Sequence, residues 1–384
     1  MTGLRHLFLY PGESRRRRLA ELDSGAVPRD FFYGYLALEA AGRTCEIGDT
    51  RTNPRGLLAR MELRWEQLRN RFLVFGMTRQ RVRALEPVFA RADIALSFTD
   101  AFSLSMGYWR PRSGSYLAGG FHGLADVHMR ARPWARPLIR RLIGRALHGL
   151  DHMFFFGDVD RRQAIEMYDL DAAKTSLFLF GVDTDFWIPP EAITEEPLVF
   201  AVGSDPQRDY ATLVAAPTAA KMRILTSLPV DVPADGRVEL VRGNLYGSPI
   251  TDLVLRDLYR SAAVVAVPLH DVYQPSGYSV TLQAMACGRP VVLTRNRGLW
   301  DPEVFRSGEN CLLVPPGDPA AFGAAIERLM ADSALRRRIG EAARADAVRH
   351  FGLARMDRAI LALADRLAAE KAASMRGQPR EQTK

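Results

Sequence analysis

Short apolar runs of strand length, each bounded by polar turns, alternate with stretches of helical spacing along this chain. In the first half the runs fall at 7–10, 44–47, 72–75, 94–98 and 115–118, and the helical stretches at 31–41 (stopped at Gly42), 138–150 and 161–168. In the second half, runs at 198–202, 223–226, 238–241, 264–268 and 291–294 alternate with helical stretches at 209–216, 252–261, 280–286 and 320–330. Strands that are apolar throughout and separated by helices build parallel sheets covered on both faces. Two such series predict an α/β fold of two Rossmann-like domains facing a central cleft, with ligands at the carboxyl ends of the strands. Ile188-Pro189-Pro190-Glu191 interrupts the pattern and places the boundary, giving a first domain over 1–188 and a second over 189–355. An Ala/Leu/Arg-rich helix is expected over 356–372 and a disordered polar tail over 373–384.

A length of 384 residues exceeds one ordinary core and suits two domains. No apolar run approaches the roughly 20 residues of a bilayer span. The apolar start leads straight into Pro11-Gly12 with no small-residue cleavage pattern, so it reads as a first strand. Cys45, Cys287 and Cys311 are far apart and odd in number, which argues against a disulfide framework or a zinc site and suits the cytoplasm. No H-E-x-x-H or P-loop is present, so no metal or cofactor is expected. Residues 1–190 hold 28 Lys and Arg against 21 Asp and Glu, a net +7, whereas the remainder holds 24 against 23, a net +1. The excess cation in the first half calls for an acidic partner there.

The run 274–292 carries the most chemistry. Gln274, Pro275, Ser276, Gly277 and Ser279 form a small-residue loop, a short helix follows, Gly288 stops it, and Pro290 opens the next strand. Backbone N–H groups at Ser279, Val280 and Thr281, with the positive end of the helix dipole, make a site for two phosphates that needs no metal. A plain helix N-cap at Ser279 is compatible with that role.

This run resembles the nucleotide-sugar signature of the retaining GT-B glycosyltransferases of family 4, E-G-F-G-x-x-x-x-E-A-M-A-x-G-x-P-V-V. Ala284 through Val292 fit without a gap. The ribose-binding glutamate of the signature falls on Gln283. The glutamate that touches the donor sugar falls on Pro275, with Gln274 and Ser276 beside it. A glutamine still accepts from a ribose hydroxyl but without charge assistance, roughly 0.5–1.5 in place of 1.5–3 kcal/mol. Gly181-Val182-Asp183-Thr184-Asp185-Phe186-Trp187 resembles the element that closes the family's first domain. The tail from Pro302-Glu303 through Pro316-Gly317-Asp318 resembles P-E…G-x-N-G-L-L-V-P-P-G-D, with Cys311 for a glycine. The turn at Val202-Gly203-Ser204 resembles V-G-R-x-x-x-x-K-G, placing the family's arginine on Ser204 and its lysine, one position early, on Arg208.

The resemblance implies a nucleotide-sugar donor held by Gly203, Ser204, Arg208, Gln274, Ser276, Gly277, Ser279, Val280, Thr281 and Gln283. Arg208 would bridge both phosphates and neutralise the leaving group. His122, which follows Gly119-Gly120, would lie near the donor sugar, against the reading of an exposed loop histidine. Pro11-Gly12 would line the cleft, against that of an ordinary strand-exit turn. The 356–372 helix would cross back to the first domain. Retention by front-side attack, assisted by the departing phosphate, follows from the same likeness.

The segment Arg130–Arg145 sets Arg136, Arg140, Arg141 and Arg145 against an apolar stripe that includes Leu138, Ile139, Leu142 and Ile143, with Trp134 near its start. It reads either as an interfacial membrane helix or as a domain helix packed on its sheet. Together with Arg15–Arg18 its arginines suit an anionic membrane face. No aromatic residues interleave with them, which argues against nucleic acid. The expected function is transfer of a sugar to a saccharide or lipid-linked acceptor in cell-envelope or exopolysaccharide synthesis, in the cytoplasm or at the inner membrane face. A sugar-nucleotide epimerase or phosphorylase, or a degenerate GT-B protein that binds without turnover, are the alternatives.

Overall fold

The computed structural model describes residues 3–12, 14–73, 76–191, 195–243 and 250–377. The chain forms two compact units, one of residues 1–17, 32–179 and 356–384, the other of 18–31 and 180–355. The division falls at Leu179/Phe180 rather than at 188, because the 181–187 segment pairs within the second unit. Val182 bridges Gly352, and Asp183 binds the Arg29 guanidinium at 2.8 Å.

In the first unit, β1 (Arg5–Tyr10), β2 (Thr44–Asp49), β3 (Ile94–Ser97), β4 (Tyr116–Phe121), β5 (His152–Phe155) and β6 (Thr175–Leu177) form a sheet in the order β2-β1-β3-β4-β5-β6. In the second, β7 (Glu196–Val202), β8 (Lys221–Thr226), β9 (Val238–Arg242), β10 (Ala262–Val267), β11 (Val291–Thr294) and β12 (Leu312–Val314) run β12-β11-β10-β7-β8-β9. Every described pairing between these strands is parallel. The order reverses between β1 and β3 in one sheet and between β7 and β10 in the other. Such switch points leave a crevice at the carboxyl ends of the strands. Pro11 and Gly12 follow β1, and the 203–208 loop follows β7.

The cores explain the apolar pattern. β10 is buried at all six positions, and Phe322, Ile326 and Leu329 of the Pro319–Ala331 helix pack over Val264 and Val292. In the first unit, the Arg136–His148 helix lays Ile139, Ile143, Ala146 and Leu147 into a core with Leu117 and Phe121. Its apolar stripe therefore belongs mainly to the domain interior. Leu138 is left half exposed, and Trp134 lies outside at 76% exposure.

Three sequence expectations are corrected. The apolar run 72–75 is no strand: Phe72 and Leu73 end the helix Leu57–Leu73, and residues 74 and 75 lie outside the described residues. The helix expected over 356–372 runs Leu353–Gly377, since Ala373, Ser374 and Met375 continue a composition that suits it. Of the tail expected to be disordered, 373–377 is thus helical, and 378–384 lies outside the described residues. Arg15–Arg18 is an open cationic patch only in part, at the exposed Arg16 and Arg17. Arg15 is buried against the Tyr10 and Tyr33 rings at 5.3 and 5.5 Å, and Arg18 pairs with buried Asp252 at 3.0 Å.

Candidate functional site

The turn after β7 is built around Gly203. Its φ of +138° is open to glycine and strained for other residues. Its amide donates to Leu225 O at 3.1 Å, and its carbonyl accepts from Tyr210 Oη at 2.7 Å. The bare Cα makes room for the Arg208 guanidinium: a Cβ at Gly203 would lie 2.5 Å from Arg208 Nε. From the other side, a Cβ at Gly277 would lie 3.3 Å from Arg208 Nη1. Arg208 is 7% exposed, and among the described residues neither Nε nor Nη1 has a hydrogen-bond partner. A buried cation with unsatisfied donors is costly unless an anion completes it.

Gly277, at φ +80°, caps the Tyr278–Ala286 helix. The first intrahelical bond runs from the Thr281 amide to Gly277 O at 2.9 Å. Two expectations shift toward the N-terminus as a result, the cap by two residues and the amides by one. Ser279 lies inside the first turn and is not the cap, and the Thr281 amide is used within the helix. The leading amides are those of Tyr278, Ser279 and Val280, which a helix leaves unbonded internally. They sit where the dipole is positive.

One turn on, Gln283 is 3% exposed, and its Oε1 accepts from Tyr259 Oη at 3.1 Å. Burial raises the Tyr259 phenol well above its ordinary value while the Arg208 charge opposes it, so Tyr259 stays a neutral donor. One lone pair of the Gln283 carbonyl is thereby engaged and the second remains for another donor. Gly203, Ser204, Ser279, Val280 and Gln283 line one cavity of about 420 Å³, with Leu255 and Tyr259 as part of its apolar wall. That size lies within the range of small-molecule sites.

Asp205 binds the surrounding loops together. Its Oδ2 accepts from Gln274 Nε2 at 2.8 Å and from Ser276 Oγ at 2.7 Å, and its Oδ1 accepts from the Gln207 amide at 3.0 Å. Both side chains thereby help position the 274–277 loop. Ser204 Oγ accepts from the Ser227 amide at 2.9 Å, which links the β7 and β8 loops.

In the first unit, His122 directly follows β4. Its ring stacks on Phe156 with centroids 4.0 Å apart, and its Nδ1 is 3.4 Å from Asp100 Oδ1. Asp100 also accepts from the His122 and Gly123 amides at 2.8 and 3.3 Å, and buried Asp160 accepts from Leu124 and Ala125 at 3.2 and 2.8 Å. Four successive amides are fixed by two carboxylates, so the ring is aimed by a rigid backbone. Burial pushes Asp100 up, but the His122 ring and amide outweigh it and hold the carboxyl below its usual range. Gly12, after β1, donates to Asp49 Oδ1 at 2.6 Å.

Comparison with known proteins bears on the second unit. Residues 235–332 match the family described as Glycosyl transferases group 1. The matched segment lies within the second unit. A D-inositol 3-phosphate glycosyltransferase of Streptomyces bingchenggensis is 38% identical over 117 residues, which cover 30% of this chain and 24% of that protein. The chain spans 19% to 63% of the length of the curated relatives it matches. Sucrose-phosphate synthase from Thermosynechococcus elongatus superposes with a TM-score of 0.70 at 20% identity, over 95% of this chain and 99% of that one. Anabaena HepE in complex with UDP-glucose superposes with a TM-score of 0.65 at 15% identity, over 94% and 100%. The fold is GT-B.

Sequence reasoning missed Asp205 and Tyr259. Asp205 stood in the loop beside Arg208, but a loop carboxylate four residues before a helix gives no sign of its partners 69 and 71 residues away. Tyr259 had a weak signal: a polar-tipped aromatic on the buried stripe of the Asp252–Ser261 helix needs a hydrogen-bond partner.

Proposed function

We propose that this protein is a retaining glycosyltransferase that moves a sugar from a nucleoside diphosphate donor to a saccharide or lipid-linked acceptor in cell-envelope or exopolysaccharide synthesis. One observation carries the reading: the buried, unsatisfied Arg208 guanidinium, held between Gly203 and Gly277 beside the leading amides of the Tyr278–Ala286 helix. Arg208 and the amides of Ser279 and Val280 hold the diphosphate. Gln283 accepts from a ribose hydroxyl with its remaining lone pair. Gln274 and Ser276, anchored on Asp205, hold the loop that contacts the donor sugar.

In the reaction the bond from C1 of the sugar to the β-phosphate oxygen breaks and a bond from C1 to the acceptor oxygen forms on the same face. The acceptor proton passes to the departing phosphate. Negative charge grows on the diphosphate as this happens, and a fixed guanidinium with aligned amides stabilises it without reorganising. His122 belongs to the proposal through the family likeness, as the histidine expected near the donor sugar. HepE was solved with UDP-glucose, which makes UDP-sugars the first donors to try.

A thermal-shift panel of UDP-, GDP-, ADP- and CMP-sugars tests the reading, followed by donor hydrolysis without acceptor. Stabilisation by one nucleoside diphosphate sugar with slow hydrolysis supports a transferase. Stabilisation without hydrolysis, and without transfer to any acceptor tried, favours a protein that binds without turnover.

A further inference from the structure

Within the first unit, the helix Leu57–Leu73 carries its apolar stripe on the outside. Leu57, Leu58, Met61, Trp65 and Leu68 are 75, 77, 49, 70 and 46% exposed. At 3.6 residues per turn these five positions fall within an arc of about 100°. Among the described side chains of this helix, the opposite arc is held to the unit by one buried apolar residue, Leu63, and by polar bonds. Glu66 accepts from the Gln80 amide at 3.2 Å, Glu62 accepts from the Gln80 side chain, and Asn70 donates to Met77 O at 2.8 Å. An ordinary surface helix has the reverse arrangement. Scattered exposed apolar residues are normal, but five large ones in one arc form a patch that asks for a partner.

Charge decides which partner. Arg60 and Arg64 border the stripe on one side and Arg69 on the other, all exposed, whereas the helix's two glutamates are bonded to Gln80. Residues 51–150 hold 18 arginines against six Asp and Glu. A second copy of this face would set the same arginines against each other, and a neutral apolar partner would leave them unmatched. We propose that this face docks on an anionic lipid surface, with the stripe at the headgroup–acyl boundary, Trp65 at the interface and the flanking arginines on lipid phosphates. The Leu57–Leu73 face takes the place of the Arg15–Arg18 cluster as the membrane-facing element. The inference does not depend on the donor site.

Co-sedimentation of the full chain with vesicles of phosphatidylglycerol and phosphatidylcholine, or of phosphatidylcholine alone, tests it at low salt and at roughly 1 M, where screening shortens to about 3 Å. The wild type is expected to bind the anionic vesicles at low salt. The double variant Leu58→Ser/Trp65→Ser should lose at least about tenfold in partitioning, and Arg64→Ser/Arg69→Ser should lose the preference for anionic lipid. Circular dichroism and nucleotide binding should stay unchanged in both, because the altered side chains are exposed and lie outside the donor site. Wild type that stays in the supernatant with anionic vesicles overturns the proposal. So does a Leu58→Ser/Trp65→Ser variant that sediments like wild type. A wild-type dimer that the same variant converts to monomer, with vesicle binding unaltered, reassigns the stripe to contact between copies.

Discussion

Arg208 rests against Gly203 so closely that a single added carbon on the glycine would meet its Nε at 2.5 Å. The glycine's φ of +138° and the place of the guanidinium are therefore two sides of one requirement. Gly203→Ala is expected to strain the backbone by about 1–3 kcal/mol and to displace the guanidinium. Urea denaturation should show the first effect. Calorimetry should show the second as a loss of about tenfold or more in nucleoside diphosphate affinity, about 1.4 kcal/mol. An alanine variant that binds like wild type would separate Arg208 from the site.

Gln283 is expected to tolerate a carboxylate and not a truncation. Gln283→Glu still accepts from Tyr259 Oη and offers a charged acceptor to a ribose hydroxyl, so nucleotide binding should hold or tighten. Gln283→Ala removes the acceptor and leaves Tyr259 Oη without it, which should weaken binding by about 0.5–1.5 kcal/mol. Equal affinities of Gln283→Ala and wild type by calorimetry would take Gln283 out of ribose recognition.

Stability should fall between mildly acidic and neutral pH through Asp30. Its carboxyl is pushed up to about 7, by burial first and by the Asp183 charge second, against the hydrogen bond from Trp187 Nε1 at 3.0 Å. A carboxyl raised in the folded state holds its proton more tightly there than in the unfolded chain. The stability it adds is complete below the ordinary value near 4 and is lost as pH rises through about 7. Asp30→Asn should flatten this part of the profile and stabilise the protein at pH 8 relative to wild type, by an amount of order 1 kcal/mol or more. Denaturation curves at pH 5 and 8 measure it. An unchanged slope in the variant would assign the pH dependence elsewhere.

How far the sequence speaks depends on which side of an element is apolar. β10 and β11 of the second unit were legible because they are buried at every position, whereas β12, only three residues long, was not read. The turns at Gly203 and Gly277 were legible because two glycines and a helix start leave a local signature. Leu57–Leu73 was not, because its apolar residues point outward and its inward face is held by Glu62, Glu66 and Asn70. Arg15 and Arg18 look like surface cations in the sequence, and only the folded chain brings Tyr10, Tyr33 and Asp252 to them. The anchoring of Gln274 and Ser276 on Asp205 was not legible, because that carboxylate is distant in sequence.

The central claim is that a nucleoside diphosphate completes the buried Arg208 site. Calorimetric titration of wild type and Arg208→Ala with UDP, GDP and ADP tests it most directly, with circular dichroism as the check on folding. At least one nucleotide should bind the wild type, and a folded Arg208→Ala should bind it at least about tenfold more weakly, about 1.4 kcal/mol or more. Equal affinity in the two proteins, or no binding of any of the three to wild type, would contradict the account.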